Sequence, residues 1–105
     1  MAETLEHIRT AYEQAVRGLS VLAASLREAG ADEEAVARRV HAERRALAVT
    51  YKALTPEPQR SRVEAHTRAA YGNPVGPEIE DLRALGRSWG DIIESACRPG
   101  APPKA

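Results

Sequence analysis

Phenylalanine is absent from the chain, and the aromatic residues are Tyr12, Tyr51, Tyr71 and Trp89 alone. Nearly half of the apolar residues are alanine, 20 of them against 19 leucine, isoleucine and valine. Alanine buries little area, so a monomer of this chain has a thin core and gains from close helix packing or self-association. Cysteine occurs once, as Cys97, which excludes an internal disulfide and suits a reducing compartment. No apolar run approaches the length of a membrane span, so no membrane partner is expected. The opening MAETLEHIRT carries three charges and no apolar stretch, unlike a signal peptide, and the expected location is the cytoplasm. Alternating runs of the β type are also missing, which leaves helix as the only regular structure the chain can build.

Motifs for several chemistries are missing too. No glutamate has a histidine three residues on, as di-metal carboxylate bundles require, and the zinc pattern His-Glu-x-x-His does not occur. No metal and no cofactor is expected. The segment GNPVGP, residues 72–77, has two glycines but no Lys-Ser/Thr after it. Its prolines also remove amide donors that a phosphate cradle needs, so it reads as a rigid elbow between helices.

Thirteen of the fifteen basic residues are arginine, which together with the alanine content is the coding signature of a GC-rich, actinobacterium-like genome. Net charge is zero, yet residues 1–37 sum to −4, residues 38–68 to +5 and residues 69–105 to −1. The basic middle contains Arg38, Arg39, Arg44, Arg45, Arg62 and Arg68. Such a patch can bind a polyanion or pair with its own acidic flanks, and the second is favoured.

Alanine richness and hydrophobic spacing together give an all-α chain forming one domain over residues 1–98. A long antiparallel helical hairpin comes first, followed by three shorter helices and a disordered tail at 99–105. Leu5, Ile8, Tyr12, Ala15, Leu19, Leu22 and Leu26 alternate in steps of three and four, an unbroken a/d seam on a helix placed at 1–30. Gly30 closes it, and Asp32 caps the second helix, placed at 32–54. That helix carries Val36, Val40, Leu47, Tyr51 and Leu54 along one stripe, broken where Glu43 and Arg44 occupy an apolar turn. Thr55 and Pro56 open a third helix at 56–71, Pro77 a fourth at 77–86, and the Ser88/Asp91 capping box a fifth at 88–97.

Two functional expectations follow. The first is a non-enzymatic protein–protein interaction or scaffolding module, homodimeric through the seam Leu5, Ile8, Tyr12, Ala15, Leu19, Leu22 and Leu26, with an unknown protein as a further partner. The second is a metal-independent, RNA-directed nuclease in which His41, Glu43, Arg44 and His66 converge. In it Glu or His takes the 2′-hydroxyl proton and Arg stabilises the phosphorane. Nucleic acid is not the favoured partner. A DNA-binding regulator is a second, less favoured alternative: residues Leu82 to Ile93, LRALGRSWGDII, resemble the first half of a recombinase-type helix-turn-helix, but the recognition helix that reads DNA does not follow and the net charge is zero.

A wider resemblance rests on AERRAL (42–47), LTPE (54–57), YGNPVGP (71–77) and GRSWGDIIESACRPG (86–100). Over residues 37–100 the chain resembles a helical module found free-standing in actinobacteria and at the C-termini of RHS-type polymorphic toxins. The resemblance implies a toxin-like role without a defined reaction, and points to Glu43, Arg44, Tyr71, Gly72 and Trp89. It would place a polar amide at Arg45 and an acid at Asn73.

Overall fold

The computed structural model describes residues 2–100, with side chains from Thr4 onward. Five helices follow one another: α1 (Ala2–Glu28), α2 (Glu33–Leu54), α3 (Gln59–Tyr71), α4 (Ile79–Ala84) and α5 (Trp89–Ala96). Among the described residues there is no strand. The fold is all-α, a long hairpin followed by shorter helices.

The hairpin turns where the sequence places it. Gly30 takes φ 94°, a left-handed conformation that a Cβ would strain, and Ala31 N–H donates to Leu26 O at 3.0 Å. Asp32 then caps α2 through its carboxylate, which accepts from Ala35 N–H at 2.8 Å. With so short a connection α1 and α2 run antiparallel and in contact.

The core occupies one end of this hairpin. Leu19 and Ala23 of α1 meet Val36, Ala37 and Val40 of α2, and Leu82, Ile92, Ile93 and Ala96 close over them from α4 and α5. Val16 is also fully buried. Val16 and Ala23 lie outside the a/d seam; Ala23 joins the core with α5, which packs on α1 as well as on α2 and widens the apolar stripe beyond a two-helix contact. Conversely, Leu54 ends the α2 stripe yet remains 59% exposed, beyond the reach of α1 and α5.

Several boundaries move inward from those expected. The third helix begins at Gln59 instead of residue 56, because Pro58 disfavours helical backbone at Glu57. Thr55 closes α2, its hydroxyl donating to Tyr51 O at 3.0 Å and its amide to Lys52 O, instead of opening α3. Glu57 supplies the missing cap, accepting from the Ser61 amide at 2.9 Å. The fourth helix is trimmed to six residues, Pro77 lying before it. The fifth starts on the expected box: Ser88 Oγ accepts from Asp91 N–H at 3.0 Å, and Asp91 Oδ2 accepts from Ser88 N–H at 3.2 Å. Of the tail expected to be disordered, residues 101–105 lie outside the described residues. Gly100 is placed, with its carbonyl on Arg44 at 3.0 Å. No described helix is long and apolar enough to cross a membrane.

Candidate functional site

At the end of the hairpin away from the core, α3 stands off α1 and α2 and leaves a cleft of ≈ 580 Å³ between them. The first half of α1 contributes Leu5, Ile8 and Tyr12, and the second half of α2 contributes Arg44, Arg45, Ala48, Tyr51 and Lys52. The α3 wall is Val63, His66, Thr67, Ala70 and Tyr71, and the floor near the core is the 74–77 loop. Three of the four aromatic residues therefore share this one cleft. The Tyr12 and Tyr51 rings meet tilted at 60° with centroids 5.6 Å apart, a favourable edge-to-face contact.

The loop wall is fastened from α2 at both ends. Lys52 Nζ donates to Pro74 O, and the buried His41 Nε2 lies 3.0 Å from Pro77 O. A carbonyl can only accept, so the ring carries its hydrogen on Nε2. Between these anchors Asn73 Oδ1 accepts from the Val75 and Gly76 amides at 2.9 and 3.0 Å, and Gly76 is buried at φ 128°. An acid at position 73 offers the same acceptor, so the side-chain role survives the departure from the resembled pattern. The elbow expected at 72–77 is a wall of the cleft.

Burial pushes the His41 pKa below the ordinary histidine value; the Pro77 bond opposes this, and the nearby Arg45 and Arg44 add to it. A histidine whose folded pKa is depressed contributes stability that is present above the unfolded value, about 6.5, and lost as pH falls below it. Melting temperature is therefore expected to fall between pH 7.5 and 5.5. The slope should flatten in His41→Gln, and an unchanged slope in circular-dichroism melts rules out His41 as its source.

Arg44 resolves the interruption in the α2 stripe. Its guanidinium turns inward, Nε donating to the Tyr12 hydroxyl at 3.1 Å. Nη1 donates to Ser95 O and Ala96 O at the C-terminus of α5, at 3.2 and 3.1 Å, and to Arg98 O just beyond it at 3.0 Å. A cation there satisfies acceptors the helix leaves open and complements its dipole. Glu43 points the other way, accepting from Arg39 Nε at 3.2 Å on an exposed face.

The residues expected to form a nuclease centre are thus divided. His41, Arg44 and His66 line the cleft, while Glu43 is not among its walls. His41 is held by a carbonyl, and every nitrogen of Arg44 already has a hydrogen-bond partner. The expected basic patch is divided as well: Arg38 bridges Glu34 and Glu80, both at 2.9 Å, and Arg39 pairs with Glu43, leaving Arg62 and Arg68 on α3. Of the α1 seam residues, Leu19 is in the core with Leu22 and Leu26 packed against it, while Leu5, Ile8 and Tyr12 lie half-buried along the cleft.

Trp89, indicated by the resemblance, lies away from the cleft under two cations, Arg83 at 4.0 Å and Arg38 at 5.2 Å from its ring centroid. Burial raises the Cys97 pKa, which favours the thiol over the nucleophilic thiolate. Among the described residues no group of three histidine, cysteine or carboxylate side chains could hold a metal ion. Tyr51 and Lys52, which carry the cleft's aromatic and basic character, had only one visible signal in the sequence. They sit where the α2 stripe continues past the point at which α1 and α5 can cover it.

Comparison with family models, with curated proteins and with solved structures finds no match to this chain.

Proposed function

We propose that this chain is a non-enzymatic binding module whose working surface is the cleft between α1, α2 and α3, and that its ligand is a small, largely apolar molecule. One observation carries this reading. The cleft has apolar walls on three sides and a volume of ≈ 580 Å³, inside the ~300–1,000 Å³ range of small-ligand sites. A helix with its side chains is about 10–12 Å across and rises 1.5 Å per residue, so this volume holds roughly one turn. That is too little for a partner helix anchored over two or three turns, which argues for a small molecule over a helical segment.

Binding without turnover keeps the coarser half of the interaction-module expectation. Self-association through α1 would have to draw on Leu5, Ile8 and Tyr12, which line the cleft. Ligand and second copy would then compete for one surface. The RNA-directed alternative has in its favour only that His41, Arg44 and His66 share a cleft, and the hydrogen bonds of the first two speak against it.

The test uses a neutral apolar fluorophore, N-phenyl-1-naphthylamine, titrated with the protein. Saturable binding of one dye per chain at micromolar affinity is expected, weakened at least tenfold by Ala48→Trp, which fills the cleft from the α2 side. Absence of binding, or an affinity that Ala48→Trp leaves unchanged, overturns the reading. RNA cleavage by the purified chain, lost in His66→Ala, would replace it with the nuclease.

A further inference from the structure

We infer that the ligand of this cleft is an organic anion, a carboxylic acid with an apolar body whose head group is received by Arg45 with Lys52 beside it. This rests on the proposed binding role of the same cleft, and the charge pattern carries it further.

Outside the cleft, five of the ten arginines pair with the chain's own glutamates. Arg27 pairs with Glu33 at 2.8 Å, Arg38 with Glu34 and Glu80 at 2.9 Å, and Arg98 with Glu94 at 3.1 Å. Arg39 and Arg60 have glutamate partners as well. The cleft gathers cations with almost no carboxylate among them. Arg9, Arg44, Arg45 and Lys52 line it, and Glu13 is the one carboxylate among its described walls. None of those four cations forms an ion pair with a carboxylate among the described residues.

They are not equivalent. Every nitrogen of Arg44 is engaged, by Tyr12 or by a carbonyl of residues 95–100. Lys52 gives one hydrogen bond to Pro74 O, and an ammonium has three donors. Arg45 is the outlier. Its Nε is buried and has no hydrogen-bond partner, whereas a buried polar atom without one is costly and calls for an explanation.

Nε itself is closed off from solvent, but the terminal nitrogens of the same guanidinium also have no partner among the described residues, and a carboxylate in the cleft supplies one for them. A guanidinium offers a planar fork that matches the two oxygens of a carboxylate, and removal from water strengthens each such bond. The rest of the ligand lies along Leu5, Ile8 and Val63, an arrangement with one polar end and one apolar body. Electrostatics oppose a cationic ligand here, and a neutral one leaves Arg45 unmatched. Nothing in the sequence singles Arg45 out. Arg45 belongs to a run of basic residues, and its separation from Arg38 and Arg39 exists only once α2 has faces.

The inference is tested by displacing the neutral dye from the wild-type chain with decanoate and, in parallel, with decanamide, which has the same body and no charge. Decanoate is expected to compete at least tenfold more tightly than the amide at pH 7. In Arg45→Gln this acid-to-amide ratio should fall below threefold, a ratio that a general loss of folding does not move. Equal competition by acid and amide, or an unaltered ratio in both Arg45→Gln and Lys52→Gln, overturns the anion assignment while the apolar cleft stands. Failure of the dye itself to bind overturns the cleft reading and the anion assignment with it.

Discussion

Arg44→Met is expected to lower the melting temperature by about 15 °C, the largest effect of any charged residue in the chain. Methionine keeps the length of the stem and removes every donor. Four carbonyls at and beyond the end of α5 then lose the same partner, as does the Tyr12 hydroxyl. Hydrogen bonds to a charged group contribute about 1.5–3 kcal/mol, and leaving acceptors unmatched costs a similar amount. Water will reach some of the carbonyls, because Arg98 and Gly100 are exposed, so a net loss of about 3 kcal/mol is a reasonable central value. At ~4–8 °C per kcal/mol for a domain of this size, that gives the stated shift. Arg44→Lys should recover less than half of it, since a single ammonium cannot span Tyr12 and the end of α5 together. Circular-dichroism melts decide the matter. If both variants melt within 3 °C of wild type, the cap contributes no stability and Arg44 becomes available for a ligand.

Ile92→Ala should cost about 3–4 kcal/mol, and for this chain that is severe. Ile92 is 2% exposed and the largest fully buried side chain, set where α5 packs on α2. Natural domains hold about 5–15 kcal/mol in total, and a core made so largely of alanine and valine belongs toward the lower end. The variant is expected to be substantially unfolded at 37 °C. Val63→Ala, by contrast, should change stability by less than about 0.5 kcal/mol, because Val63 is 52% exposed on α3. Trp89, at the start of α5, reports the separation by its fluorescence. Combining Arg44→Met with Ile92→Ala should cost less than the two single effects added, since both changes release the same helix. Strict additivity under urea denaturation would show that α5 is held at two independent points, contrary to the geometry described.

Both effects arise from one arrangement. Helix α5 is short, and eight residues do not sustain a helix in water. Its N-terminus is closed locally by Ser88 and Asp91, and its C-terminus by a side chain from another helix, half the chain away. That dependence also separates the interaction and nuclease readings of Arg44. A guanidinium whose every nitrogen is committed to carbonyls or a hydroxyl positions a helix, and one awaiting phosphate keeps a nitrogen free.

Local chemistry is what the sequence makes legible. The all-α class, the hairpin, the Gly30–Asp32 turn and the Ser88 box each depend on residues within about five positions of one another, so their physics is complete in the sequence. The start of α3, three residues beyond the one Thr55-Pro56 indicates, has the same kind of cause: Thr55-Pro56 and Pro58 are competing local signals, and the restriction that Pro58 places on Glu57 prevails. Heptad spacing showed that α1 packs lengthwise on something. It carries no information on whether that partner is α2 or a second copy, nor that α5 adds Ala23 to the shared core.

Arg44 and Arg45 mark the division most sharply. Adjacent in the chain, they are indistinguishable by composition or charge, and both were part of one basic patch. Tertiary structure gave Arg44 the carbonyls of residues 95–100 and left Arg45 Nε buried at the cleft without a partner. A helix turns about 100° per residue, so neighbours face different surroundings, and those surroundings are set by segments some 30 to 55 residues away. Periodicity reports which side of a helix is apolar; only the packed chain settles what lies opposite each polar group on it, because that depends on how far α3 stands from the hairpin and where α5 ends.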